Sequence, residues 1–473
     1  MDVFLTKTSM HLKISSLIYF LLIIYFMKIK TIIISNIAEA FEDTINKVEN
    51  DKQKKDRIII EHNLCDRTLL WEGDNKIVIT PFQISKEIFI LNKIALGFKN
   101  VDNLYPGEID ISLSDAIKKD RELLKNLCQI IKDNPGVRIT PYCITNKFVS
   151  LTEYFKSKGL DFDVMEMPPE ESVWLASYLD SKVGSRIEIG RIKSIHENVP
   201  ESIVCKSHEE VLKVAVWFYV NNRSCALKSN FGESGWGTIF IKKEDFDDKE
   251  GVIRYIKKEF KVDSIWSDEL ILVEEYIVSN KKMSGASPSV ELFLSDDDAE
   301  ITYLCNQVLG KGGDFLGVAL GKNLLNNKTR NKLLKISNEV GKKFQELGYR
   351  GFFDIDFILS NNNVPYIIET NMRRTGGTHV YDTAKTLLGN YWEDNYFIMS
   401  QDNFCYGNKE LDEKQAMDKM KEILYPIKGK KEGTIISILN KQEATFGFII
   451  VGESRKKALK IYDKILDIWG IKK

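Results

Sequence analysis

The sequence contains no Cys-x-x-Cys pair and no Cys/His cluster, and its seven cysteines are an odd number without paired spacing. Zinc binding and a disulfide framework are therefore not expected, and a reducing cytoplasmic setting is. Net charge is almost absent, with 67 Lys plus Arg against 68 Asp plus Glu for a formal −1. That balance gives no general electrostatic footprint for nucleic acid, so no such partner is expected. Internal repeats and low-complexity tracts are missing as well. The turn after the first candidate strand reads Asn36-Ile37-Ala38-Glu39, without a glycine fingerprint, which argues against a dinucleotide in the first domain.

Long apolar runs are scarce too. Residues 14–27 (ISSLIYFLLIIYFM) fall short of the roughly 20 that a membrane helix needs. Lysines flank the run, and Ala38-Glu39-Ala40 resembles a signal cleavage site. Cleavage there would remove residues 31–35 (TIIIS), which look like the first strand. Three readings follow: an upstream extension ahead of Met27, a membrane anchor, and a cleaved signal. Membrane contact is expected only through residues 14–27.

What is present is a globular composition, 43% hydrophobic and 29% charged over 473 residues. At about 150 residues per domain that length implies two to four domains. From 31 to 165, candidate strands at 31–35, 57–61 and 76–80 alternate with candidate helices at 37–48, 85–96 and 114–132, as in an open, largely parallel sheet. The paired prolines of 165–171 (MEMPPEE) mark a boundary. Ser207-His208-Glu209-Glu210 has capping-box spacing before an apolar run, and an amphipathic helix is predicted over 328–347 with Gly348 as its stop. Another is predicted over 382–388. After about 405, candidate strands 434–439 and 447–451 and a basic helix 455–469 form a small α/β appendage.

Residues 351–379 (GFFDIDFILSNNNVPYIIETNMRRTGGTH) carry the most chemistry. Asp354 and Asp356 share one face of a strand, as do Glu369 and Asn371 on the next. A hairpin turn centred on Asn362-Asn363 opposes Asp356 to Glu369 and Asp354 to Asn371. Three carboxylates about 5 Å apart among apolar neighbours repel unless a cation neutralises them. Oxygen ligands without His or Cys suit Mg²⁺ or Mn²⁺, which points onward to a nucleotide. The competing reading is a solvated acidic hairpin.

Upstream, residues 225–241 (CALKSNFGESGWGTIFI) place Lys228 on a strand before a loop holding Gly232, Ser234, Gly235 and Gly237. Backbone N–H groups of such a loop can close on phosphates, with the lysine as a point charge. Alone it reads as a glycine-rich hairpin; its position ahead of a magnesium site reverses that. Residues 270–277 (LILVEEYI) end a strand in Glu274 and Glu275, which can meet adenine or ribose or simply face solvent.

In this order the three elements resemble the ATP-grasp superfamily over residues 182–379, with Asp356, Glu369 and Asn371 at the family's magnesium-ligand spacing. The resemblance implies an ATP-grasp fold of mixed α/β and α+β class. An N-terminal (pre-ATP-grasp) α/β domain would span 27–170, the ATP-grasp domain 171–402 and the appendage 403–473, with 1–26 an extension or anchor. It also implies that Lys182 and Lys228 meet the phosphates, that residues 231–237, beginning at Phe231, fold over them, and that Glu274, Glu275, Tyr276 and Ile277 form the adenine hinge. Glu291 would approach ribose or metal. Arg373 would steady the transferred phosphate and Arg374 line the substrate end, while His379 is either catalytic or a loop hydrogen bond.

The run after the metal ligands and the small C-terminal domain are similar to natural-product peptide ligases of the pheganomycin type. That implies an ADP-forming carboxylate–amine ligase acting through an acyl phosphate, with an amino acid or peptide, free or carrier-bound, as partner. Residues 231–237 and 310–321 would close the site against water. A biotin-dependent carboxylase is the rival reading, although no biotin-carrying lysine motif is present. A non-catalytic ATP-binding subunit is the third.

Overall fold

The computed structural model describes residues 28–232, 236–267, 270–280, 286–310, 314–407, 413–440 and 444–471. Residues 14–27 lie outside them. No helix among the described residues is long and apolar enough to cross a membrane.

Strand β1 (Thr31–Ile34) is buried along its whole length, as the central strand of a sheet covered on both faces must be. It lies between β2 (Lys76–Ile79) and β4 (Val137–Pro141), with β3 (Val101–Leu104) and β5 (Phe162–Asp163) at the edges. Every pairing is parallel, as the alternating pattern predicts.

Three local expectations need correction. Residues 57–61, expected as a strand for their isoleucines, lie inside the helix Asp51–Asn63. Asn50 caps that helix by accepting from Lys52 N and Gln53 N, and Arg57 pairs with Glu61 one turn on, so local polar contacts override β-branching. The helix expected over 37–48 breaks at Phe41 into Ile37–Ala40 and Glu42–Asn46. That over 114–132 becomes Leu113–Lys119 and Arg121–Asp133, split where Asp120 turns out to cap the second.

A second, antiparallel sheet orders β6 (Ser202–Cys205), β9 (Ile271–Glu275), β7 (Cys225–Ser229) and β8 (Thr238–Ile241). Helix His208–Val220, capped by Ser207 as predicted, packs on it. The third sheet has eight strands in the order β14 (Pro365–Asn371), β13 (Gly351–Leu359), β10 (Pro288–Leu294), β11 (Ala299–Leu309), β12 (Phe315–Gly321), β15 (Phe397–Cys405), β17 (Thr445–Gly452), β16 (Gly433–Asn440). Helix Asn327–Glu346 covers β10 and β11 through Leu333, Val340 and Phe344 and stops at Gly348, whose φ of 103° suits glycine.

The C-terminal residues are α/β as expected, but their strands extend this same sheet through β15 and β17. One apolar core joins them to the N-terminal domain, so that Trp71 and Ile33 share it with Phe448 and Ile450. Much of the expected closing loop at 310–321 is likewise sheet. Gly317 of β12 lies so close to β15 that a Cβ there would sit 2.2 Å from the Ser400 carbonyl oxygen.

Candidate active site

The β13–β14 hairpin opposes Asp356 to Glu369 and Asp354 to Asn371, the pairing predicted from the sequence. The route to it differs, because the register shifts by one residue between Asp356 and Phe357. The turn is centred on Asn362 and not between Asn362 and Asn363, so the pairs beside it are one residue off the predicted ones, and the bulge restores the match at the polar end. β10 then opposes Ser289 to Asp356 and Glu291 to Asp354, extending one polar face over three strands.

Burial pushes the Asp354 carboxyl well up, reinforced by repulsion from Asp356. Asp356 is raised too, by burial and then by Glu369. Their local partners are few. The Ser289 hydroxyl reaches both aspartates, 2.8 Å from Asp356 Oδ1, while Gln307 donates to Oδ1 and Asn371 Nδ2 to Oδ2 at 3.1 Å. Glu369 behaves oppositely. Burial alone would raise it, but Lys182 and then Lys228 outweigh that and hold it below the usual carboxylate range.

Among the described residues no three His, Cys, Asp or Glu side chains converge as a ready metal cluster. The set that fits an oxygen-seeking cation is two carboxylates and an amide, Asp356, Glu369 and Asn371. The raised Asp354 and Asp356 supply the physical case for a cation, since a nearby positive charge would relieve both.

Lys182 opens the helix Lys182–Gly190, ion-pairs with Glu369 and donates to Gly232 O at 2.8 Å. Lys228 projects from β7 to Glu274 at 2.5 Å and to Ile368 O at 3.1 Å. The two expected phosphate lysines thus approach β14 from different elements. Gly237 has φ 77°, and a Cβ on it would stand 2.3 Å from Ser229 Oγ, so the loop needs glycine there. Ser234 and Gly235 lie outside the described residues. Phe231 reaches the N-terminal domain, where Lys47 stands 5.6 Å over its ring.

The hinge expectation changes at Glu274. Its buried carboxylate is clamped between Lys228 and Arg186, the latter at 2.6 Å, and is not free to turn toward an adenine. Glu275 pairs with Arg223 at 3.1 Å. The amides of Glu275 and Tyr276 already bond Glu201 O and Ser224 O. Ile277 is the first hinge residue whose amide has no partner among the described residues. Glu291 stands opposite Asp354 on β10. It is buried on the sheet, bonded by Tyr303 and Thr378, and raised by burial to about 7.

Arg373 and Arg374 diverge. Arg373 pairs with Asp180 at 2.7 Å, donates to Tyr142 OH at 3.2 Å and lies 4.8 Å over the Phe41 ring. It lines a cleft of about 280 Å³ that also contains Lys182, Gly232 and Glu369. Arg374 does not line that cleft. It is 3% exposed, bound to Glu166 and Pro141 O and stacked 4.1 Å from Phe352. Tyr142, Phe41 and Lys147 come from the other domain and carry no local sequence signal. Asp180 and Ser289 do, each two residues from a site residue recognised in the sequence.

His379 makes neither expected contact. It lies in the helix Thr378–Leu388, fully buried, and neither ring nitrogen has a hydrogen-bond partner; Nε2 is 3.6 Å from Asp402 Oδ1. Burial, then Arg67, holds the ring neutral well below its ordinary pKa. An unfolded histidine binds a proton below about 6.5. The unfolded chain therefore gains protons as pH falls through that value, and stability drops. His379→Leu is expected to keep the parent's turnover and to lose that part of the acid sensitivity, read as melting temperature from pH 7.5 to 5.5.

Residues 222–377 match the family model described as the ATP-grasp domain. The chain has the ATP-grasp fold. An N5-carboxyaminoimidazole ribonucleotide synthetase solved with ADP superposes at TM-score 0.54 and 12% identity, over 94% of this chain and 98% of that one. The Aspergillus clavatus synthase, with ADP and 5-aminoimidazole ribonucleotide, gives 0.54 and 12% over 94% and 100%. A biotin carboxylase domain of Hydrogenobacter thermophilus 2-oxoglutarate carboxylase, with magnesium ADP and bicarbonate, gives 0.51 and 12% over 93% and 89%. No curated protein matches the sequence. At these identities the likeness is one of ATP-grasp architecture, spanning nearly the whole of each chain.

Proposed function

We propose that this protein uses magnesium ATP to phosphorylate a carboxylate and delivers the activated carboxyl to a nitrogen nucleophile, releasing ADP and phosphate. The observation that carries the reading is the shared, partly buried face of Asp356, Glu369 and Asn371 flanked by Lys182 and Lys228, on an ATP-grasp fold. Asp356, Glu369 and Asn371 would hold Mg²⁺, whose bound charge offsets that of the phosphates. Lys182 and Lys228 would then exchange Glu369 and Glu274 for phosphate oxygens. Arg373 would meet the charge that develops on the transferred group, where fixed electrostatics carry most of the catalysis.

Bicarbonate is the first candidate for the carboxylate, because the carboxylases of the same architecture include one crystallised with it. The narrower reading, a peptide ligase of the pheganomycin type, rests on residues 373–379 and the C-terminal domain. The two differ in the acid and share a nitrogen acceptor.

The test is ADP and phosphate release by the full chain with magnesium ATP, offering bicarbonate or pooled amino acids and peptides, with hydroxylamine as the trap. Bicarbonate-dependent ADP without hydroxamate supports carboxylation. ADP with hydroxamate from a pool member supports the peptide-type ligase. AMP with pyrophosphate, or no nucleotide turnover with any acid, overturns the proposal.

A further inference from the structure

Two buried cations reach the same pair of acceptors from different elements. Lys228 on β7 pairs with Glu274 Oε1 at 2.5 Å and donates to Ile368 O at 3.1 Å. Arg186 comes from the helix Lys182–Gly190, one turn past Lys182 and so on the same side of that helix. Its Nη2 donates to Glu274 Oε2 at 2.6 Å and to Ile368 O at 3.3 Å, and its Nη1 to Ile367 O at 3.0 Å. Lysine and arginine thus take one carboxylate oxygen each and share the carbonyl that precedes Glu369.

The duplication matters once Lys228 turns to a phosphate. Glu274 is 2% exposed, and a carboxylate at that depth is costly to leave without a cation. Arg186 keeps its own oxygen of Glu274 and its bond to Ile368 O, so neither acceptor is stranded when the lysine departs. Arginine suits the task, because its planar fork spans a carboxylate and two carbonyls while its charge is permanent. Lys182 is placed differently: it pairs with Glu369, a carboxylate that the expected metal ion would itself take over.

We propose that Arg186 is a positioning residue for the nucleotide: by holding Glu274 and the Ile368 carbonyl, it lets Lys228 leave both for phosphate oxygens. Arg186 acts through Lys228 and touches no substrate itself. The proposal rests on the magnesium-ATP reading above and adds to it a residue that no motif in the sequence singles out.

The test is calorimetric binding of the β,γ-imido analogue of ATP, with Mg²⁺, to the full chain. Arg186→Met leaves Glu274 with Lys228 as its ion pair among the described residues, and is expected to weaken the analogue at least about tenfold. Adding Glu274→Gln removes the charge that then detains Lys228, and the double variant is expected to return to within about threefold of the parent. An arginine that only supports the fold would give no such rescue, because Glu274→Gln removes a further contact. Arg186→Lys covers the case in which Arg186→Met does not fold; it keeps the charge beside Glu274 and is expected to stay within about threefold of the parent. Parent-like binding by Arg186→Met, a double variant no tighter than Arg186→Met, or a loss of about tenfold in Arg186→Lys would each overturn the proposal. A parent that does not bind the analogue would instead sink the functional reading itself.

Discussion

Asp356→Asn is expected to lower nucleotide turnover by about 10²–10³-fold, the scale of losing one preorganised group that meets charge in the transition state. The same substitution is expected to raise the melting temperature of the metal-free chain. Asp356 lies partly buried beside the buried Asp354 and opposite Glu369, and burial with like charge pushes both aspartates up. An amide of the same shape keeps a place beside Ser289 and Asn371 and removes the repulsion. In the parent, magnesium with ADP adds stability by mass action, roughly 2.7 kcal/mol at a hundredfold excess over Kd. Asp356→Asn should lose most of that increment. Differential scanning fluorimetry with and without magnesium ADP checks both signs. A variant that is less stable without metal, or that keeps the full increment, would show that the carboxylates do not form a cation site.

The neighbouring arginines give the second large effect. Arg374→Ala strands the buried Glu166 carboxylate and empties the space against Phe352, so a loss of about 3–5 kcal/mol is expected, the cost of breaking a buried pair. Arg373→Ala exposes nothing comparable, because Asp180 is a third open to solvent. Its stability cost should stay within about 2 kcal/mol, with turnover falling about 10²–10³-fold. Urea unfolding monitored by tryptophan fluorescence, set beside ADP release, separates the pair. Equal unfolding midpoints for the two variants would refute the assignment of Arg374 to the junction between domains.

The contrast also marks how far the sequence could be read. Strand alternation was enough to put Asp354 with Asp356, and Glu369 with Asn371, on one face each, and the Asn362-Asn363 turn was needed to oppose Asp356 to Glu369. Even there, pairs beside the turn are one residue off the expected ones, and only the single-residue bulge brings the polar pair back into the expected match. Neither alternation nor spacing could separate Arg373 from Arg374. Their difference comes from Tyr142, Phe41, Glu166 and Trp71, all distant in the chain and assembled only by domain packing. Glu274 was legible as polar at a strand end, but the clamp on it needed Arg186 from another element. The helix Asp51–Asn63 was misread because Ile58, Ile59 and Ile60 carry strand preference, whereas its cap and its Arg57–Glu61 pair are local and were there to be found.

The core that joins Ile33 and Trp71 to Phe448 and Ile450 bears on how the chain is made. The parallel sheet leaves the ribosome well before β16 and β17, yet one of its apolar layers is completed by those two strands. Between those moments about 270 intervening residues must emerge, those from the end of β5 at Asp163 to the start of β16 at Gly433. At roughly 5–20 residues per second, that layer stays uncovered for tens of seconds. Synthesis of this protein therefore opens a window in which a chaperone, or another nascent copy, can reach the surface that β16 and β17 finally close.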